Sequence, residues 1–115
     1  MPKRDDATSF RHMLDHAREA VALMQDKSRS DLGSSRLHAL ALVRLIEIVG
    51  EAASRVSKTA RARHPQIPWP QIIGMRNRLI HGYEIVDLDI VWQTVIKELP
   101  PLIAELEQIL AGKES

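Results

Sequence analysis

The chain contains no cysteine. That excludes a disulfide scaffold, thiolate zinc, iron–sulfur ligation and a cysteine nucleophile. Aromatic side chains are scarce as well: Phe10, Trp69, Tyr83 and Trp92 are the four among 115 residues, too few for a row of base-stacking platforms. No uncharged apolar run approaches the ~18 residues needed to cross a bilayer, so no membrane span is expected. The opening Met1-Pro2-Lys3-Arg4-Asp5-Asp6 is charged and is not followed by an apolar signal segment, which makes a cytoplasmic protein the expectation. What remains is an ordinary globular composition, 44% hydrophobic and 27% charged, with length for one domain over residues 1–115.

Acidic residues are missing from one stretch in particular. Between Ala52 and Tyr83 there is no Asp or Glu, while Arg55, Lys58, Arg61, Arg63, Arg76 and Arg78 give a local balance of +6. From Glu84 onward seven acids face Lys97 and Lys113. A basic middle beside an acidic tail suits a phosphate-facing surface on a protein whose net charge is only +1.

The apolar periodicity is helical. Phe10, Met13, Leu14, Ala17, Val21 and Met24 follow three-and-four spacing and predict a helix over about 6–27. Ser28 to Gly33 reads as a polar turn. A central helix then runs from Ser34 or Ser35 to about Ser57, apolar over nearly half its circumference. Pro65, Pro68 and Pro70 forbid a helix across the next segment, although Pro70 suits the first turn of a third helix reaching about Ile80, with Gly82 as its C-cap. Asp87 caps a fourth helix to about Glu98. Pro100-Pro101 should break or kink the chain before a last helix to about Leu110. No alternation is long enough to propose a sheet. The expectation is all-α, a bundle of four to five helices.

Chemistry concentrates in Met75-Arg76-Asn77-Arg78-Leu79-Ile80-His81-Gly82-Tyr83. An imidazole can move a proton near neutrality, and a guanidinium can hold phosphate oxygens and offset transition-state charge. On an ideal helix at ~100° per residue, Asn77 and Arg78 neighbour His81, but Arg76 lies some 140° away from it. Convergence of Arg76 with His81 therefore requires an irregular last turn, a wrapped Arg side chain, or two subunits. A helix C-terminus at His81 would favour its protonated form. Arg44, Glu47, Glu51 and Arg55 form a polar stripe on the central helix, either a solvated ion-pair row or a set in which Glu51 or Glu47 orders the arginines. His12 and His16 have a zinc-compatible spacing, but both point away from the apolar face and no Glu follows His12, so no metal is expected there.

Arg76, four residues, His81, one residue, Tyr83 resembles the Arg-x4-His-x-Tyr motif of the HEPN ribonuclease toxins, and within them the HepT family. The resemblance extends to Leu45-Ile46-Glu47-Ile48-Val49-Gly50-Glu51-Ala52-Ala53 in the central helix, to His64-Pro65-Gln66-Ile67-Pro68-Trp69, and to Asp87-Leu88-Asp89-Ile90-Val91-Trp92, covering about residues 9–110. It implies a HEPN-type helical bundle that dimerises so that two motifs line one cleft. It implies metal-independent cleavage of RNA, with transfer RNA as the expected substrate, by attack of the ribose 2′-hydroxyl and with no cofactor. Arg76 and His81 would be the catalytic pair, with Asn77, Arg78 and Glu51 in supporting contacts. It also implies an antitoxin of the minimal nucleotidyltransferase (MNT) type that transfers AMP to Tyr83. The rival reading is a non-catalytic helical module that helps a nucleotidyltransferase hold its nucleotide or substrate.

Overall fold

The computed structural model describes the backbone of residues 4–81 and 85–112. Helix α1 spans Arg4–Leu23, α2 Arg29–Gly33, α3 Arg36–Ser54, α4 Lys58–Arg63, α5 Trp69–Ile73, α6 Met75–Leu79, α7 Leu88–Gln93 and α8 Leu99–Leu110. Two short strands, β1 (Ile80–His81) and β2 (Ile85–Val86), pair antiparallel, with Ile80 opposite Val86 and His81 opposite Ile85. The all-α expectation holds for the packed layers. The count of four to five helices was too low, and the hairpin was not expected because two-residue strands are too short to show an alternating pattern.

The core lies where α3 and α8 both pack on α1. Phe10, Met13 and Ala17 of α1 meet Leu42, Ile46 and Val49 of α3 and Leu106 and Ile109 of α8 within one buried cluster. Phe10 also packs edge-on against His64, at 5.8 Å between ring centroids, and lies 6.1 Å from Trp69. Trp69 itself is buried and donates its indole N–H to the His64 carbonyl at 3.1 Å, satisfying the one polar atom on its ring. The proline-bearing linker is thereby tied to the core.

Local chemistry explains the boundaries that differ from expectation. Ser28 caps α2 in a reciprocal box with Asp31, so the polar turn is itself one helical turn. The central helix stops at Ser54. Arg61 reaches back from α4 to the Ser54 carbonyl in the last turn of α3 and to that of Val56 just beyond it. Ser57 caps α4 and is held in turn by the buried Asp6 of α1, whose carboxylate accepts from the Ser57 N–H and hydroxyl, both at 2.8 Å. The third expected helix is divided at Gly74 into α5 and α6.

The two prolines after residue 99 do not break the chain. Thr94–Glu98 forms a π-helical turn in which the Leu99 N–H reaches the Thr94 carbonyl, five residues back. The wider turn precedes Pro100 and Pro101, which lack the N–H that a regular helix would use and sit in the first turn of α8. Among the described residues no helix is long and apolar enough to cross a membrane.

Candidate functional site

Helix α6 is only five residues long, and its short length changes the geometry of the motif. Ile80 has φ −120° and ψ 119° and begins the extended hairpin, so the chain leaves the helix before His81. The ideal-helix separation of Arg76 from His81 therefore does not apply, and neither does the facing of Asn77 and Arg78 with His81. The backbone after Leu79 is irregular, as one of the three alternatives supposes. His81 therefore does not stand at a helix C-terminus that would favour its protonated form, and Gly82 is not the C-cap. The cap is Ile80. The side chain of His81, and Gly82 and Tyr83 altogether, lie outside the described residues.

The two arginines of α6 have opposite fates. Arg78 directs its terminal nitrogens to Glu98 of the π turn, at 3.0 and 3.4 Å, so its bidentate edge is already filled by a carboxylate. That does not suit the expected supporting contact to phosphate. On the same side, a groove of about 280 Å³ under the proline linker is bordered by Glu98 and Glu105 and lacks Arg76. Its acidic rim opposes a phosphodiester.

Arg76 turns instead to α3. Its Nε donates to Glu47 Oε2, and the other carboxylate oxygen, Oε1, accepts from Arg44 NH1 at 2.6 Å. Glu47 is largely shielded, at 19% side-chain exposure, while Arg76 remains 54% exposed. Arg44 beside it, and then Arg76, hold the Glu47 carboxyl below the usual carboxylate range against the opposing effect of burial. Of the two acids expected to order the arginines, Glu47 meets Arg76. Glu51 approaches only Arg44, at 3.6 Å. Asn77 is exposed, with its backbone N–H on the Gly74 carbonyl.

The pairing is set by a close backbone approach. Gly50, one turn beyond Glu47, faces the carbonyls of α5, and a Cβ there would sit 3.0 Å from the Ile72 oxygen and 3.3 Å from that of Ile73. Any Cβ there would press on backbone that cannot rotate aside, so glycine suits the close approach of α3 and α5. Met75 and Leu79, fully buried, then anchor α6 against the core and leave Arg76 at the rim beside Glu47. Further along α3, Leu37 and Leu40 stand exposed, at 77% and 46%, on the three-and-four spaced stripe that continues through Arg44, Glu47 and Glu51. His12 and His16 are joined by a ring-to-carbonyl hydrogen bond of 2.7 Å.

Comparison with known proteins adds an independent line. A family model described as "Ribonuclease HepT-like" matches residues 13–109. The protein named "Putative RNase MJ0125" of Methanocaldococcus jannaschii is 32% identical over 114 residues, covering 99% of this chain and 98% of its own. "Putative RNase TTE0752" of Caldanaerobacter subterraneus is 35% identical over 99 residues, with 86% and 88% coverage. "Probable ribonuclease HepT" of Thermococcus cleftensis is 31% identical over 105 residues, with 88% and 96% coverage. No solved structure matches the chain at a significant level.

Proposed function

The chain belongs to the ribonuclease HepT-like family, and from that premise we propose that it is a metal-independent endoribonuclease whose catalytic pair is Arg76 and His81. Cleavage begins when the ribose 2′-oxygen attacks the adjacent phosphorus and the bond to the 5′-oxygen breaks. The products are a 2′,3′-cyclic phosphate and a 5′-hydroxyl. The reaction needs a group that moves protons near neutrality and a cation for the equatorial phosphate oxygens. The His81 imidazole is suited to the first task and the Arg76 guanidinium to the second.

The observation that carries the reading is the state of Arg76. It is half exposed and held through Nε, and its two terminal nitrogens have no partner among the described residues. A guanidinium carries five N–H donors, so four stay available to a phosphate.

The wider biology follows the motif. As a toxin, the protein would be restrained by an MNT-type nucleotidyltransferase antitoxin that adenylylates Tyr83. The tyrosine oxygen attacks the α-phosphorus of ATP and pyrophosphate leaves. An anionic adduct two residues from His81 would repel RNA. Transfer RNA is the substrate this reading favours. A homodimer would join two chains through the α3 stripe, on which exposed Leu37 and Leu40 adjoin the ions around Arg76. The purified protein incubated with total RNA, beside His81→Ala and Arg76→Ala, tests the reading. Cleavage slowed by on the order of 10² or more in each variant is expected. An inactive wild type that still binds a nucleotidyltransferase would favour the non-catalytic module.

A further inference from the structure

Arg76 and Arg78 belong to one five-residue helix, and both contact a carboxylate, but they do so by different edges. Arg78 spends both terminal nitrogens on Glu98. Arg76 gives Glu47 its Nε alone. The first geometry fills the edge that would grip a phosphate bidentately, and the second leaves it open.

We propose that Glu47 is the positioning residue for Arg76, fixing the guanidinium by its Nε edge so that the terminal nitrogens face the scissile phosphate. The inference rests on the ribonuclease reading above. Three features of the molecule support it. Glu47 is the more shielded partner, so its position is set by the fold rather than by the arginine. Its second oxygen is occupied by Arg44, and an incoming phosphate therefore does not meet an unpaired carboxylate oxygen beside Arg76. The close approach at Gly50 holds α5, and α6 after it, at the spacing that lets Arg76 reach Glu47. Unrestrained, the long Arg side chain would lose rotamer freedom in each turnover. Restrained, it is oriented before RNA arrives.

Glu47→Ala and Glu47→Gln test this in the full-length protein. Both sit at the rim of the fold, and circular dichroism checks that each remains folded. Glu47→Ala should lower kcat on a defined RNA by on the order of 10- to 100-fold, with KM changed far less. Glu47→Gln keeps an acceptor for Nε–H and should recover part of that loss. Combined with Arg76→Ala, Glu47→Ala should slow cleavage no further, to within about twofold, because it acts through Arg76. A readout independent of RNA is the ¹⁵N-resolved Nε–H signal of Arg76, expected in slow exchange in the wild type and lost in Glu47→Ala. Wild-type kcat in Glu47→Ala, a full further loss in the double variant, or an unchanged Nε–H signal would each overturn the proposal. An inactive wild type refutes the ribonuclease reading instead, and the Nε–H signal then still decides whether Glu47 holds Arg76.

Discussion

Replacing Gly50 with alanine perturbs the point on which the site's geometry depends. The added methyl group would lie 3.0 Å from the Ile72 carbonyl oxygen and 3.3 Å from that of Ile73. Both obstacles are backbone and cannot rotate away, so α5 must move off α3. Overpacking of this kind costs about 1–3 kcal/mol. Alanine returns up to about 1 kcal/mol through its better helix propensity. The net expectation is a loss of about 1–2 kcal/mol, which for a domain of this size lowers Tm by about 4–8 °C. Displacement of α5 also carries α6 away from Glu47, so RNA cleavage should fall by more than the small change in folded fraction explains. Gly33→Ala is the control. Its methyl group would meet only the far end of the Arg29 side chain, at 3.2 Å, which can swing aside. It should leave Tm within about 2 °C of wild type, or raise it slightly. Thermal unfolding of the three proteins, with cleavage measured well below Tm, gives the comparison. A Gly50→Ala protein as stable and as active as wild type would refute the close-approach argument.

Acid should undo the Glu47 pairings in a defined direction. Because the carboxyl is held below its ordinary value by Arg44 and then Arg76, it contributes stability that is fully present above the unfolded-state pKa and is lost as pH falls through the lowered folded-state value. Between about pH 6 and pH 3, wild type should therefore lose more Tm than Glu47→Gln, and parallel curves would contradict the assignment. In solution, sedimentation should give a dimer. Leu37→Asp with Leu40→Asp should give a folded monomer of reduced activity, whereas a wild-type monomer at all concentrations would exclude the α3 interface. Co-expression with the partner nucleotidyltransferase should add the mass of AMP to the wild type and not to Tyr83→Phe. A gain in both would place the modification elsewhere.

The long amphipathic helices were legible because each buries a continuous stripe, and three-and-four spacing is the direct trace of that burial. Phe10, Met13 and Ala17 on α1 and Leu42, Leu45 and Val49 on α3 are examples. Short segments were harder to foresee. Helix α4 is six residues long and exists through Ser57, its contact with distant Asp6, and Arg61 on the end of α3, none of which repeats periodically. The division at Gly74 and the exit at Ile80 removed His81 from the helix on which sequence spacing had placed it. The candidate arginines were visible as a cluster, but their separate fates were not. Nothing local distinguishes Arg76 from Arg78. The distinction comes from Glu47 on α3 and Glu98 before α8, 29 and 20 residues away. Likewise Glu47 and Glu51 share one stripe, and only the packing of α6 against α3 reveals that Glu47 is the one that meets Arg76.

Cleavage of RNA through the ribose 2′-hydroxyl without a metal ion leaves a distinct chemical record. The most direct measurement is the chemistry of the fragment ends, made on a short RNA cleaved in excess chelator beside the same RNA carrying 2′-deoxyribose at the cut site. A 2′,3′-cyclic phosphate and a 5′-hydroxyl are expected from the ribose substrate, undiminished by chelator, with no cleavage at the deoxy position. Fragments ending in a 5′-phosphate, activity abolished by chelator, or equal cleavage at the deoxy site would contradict it.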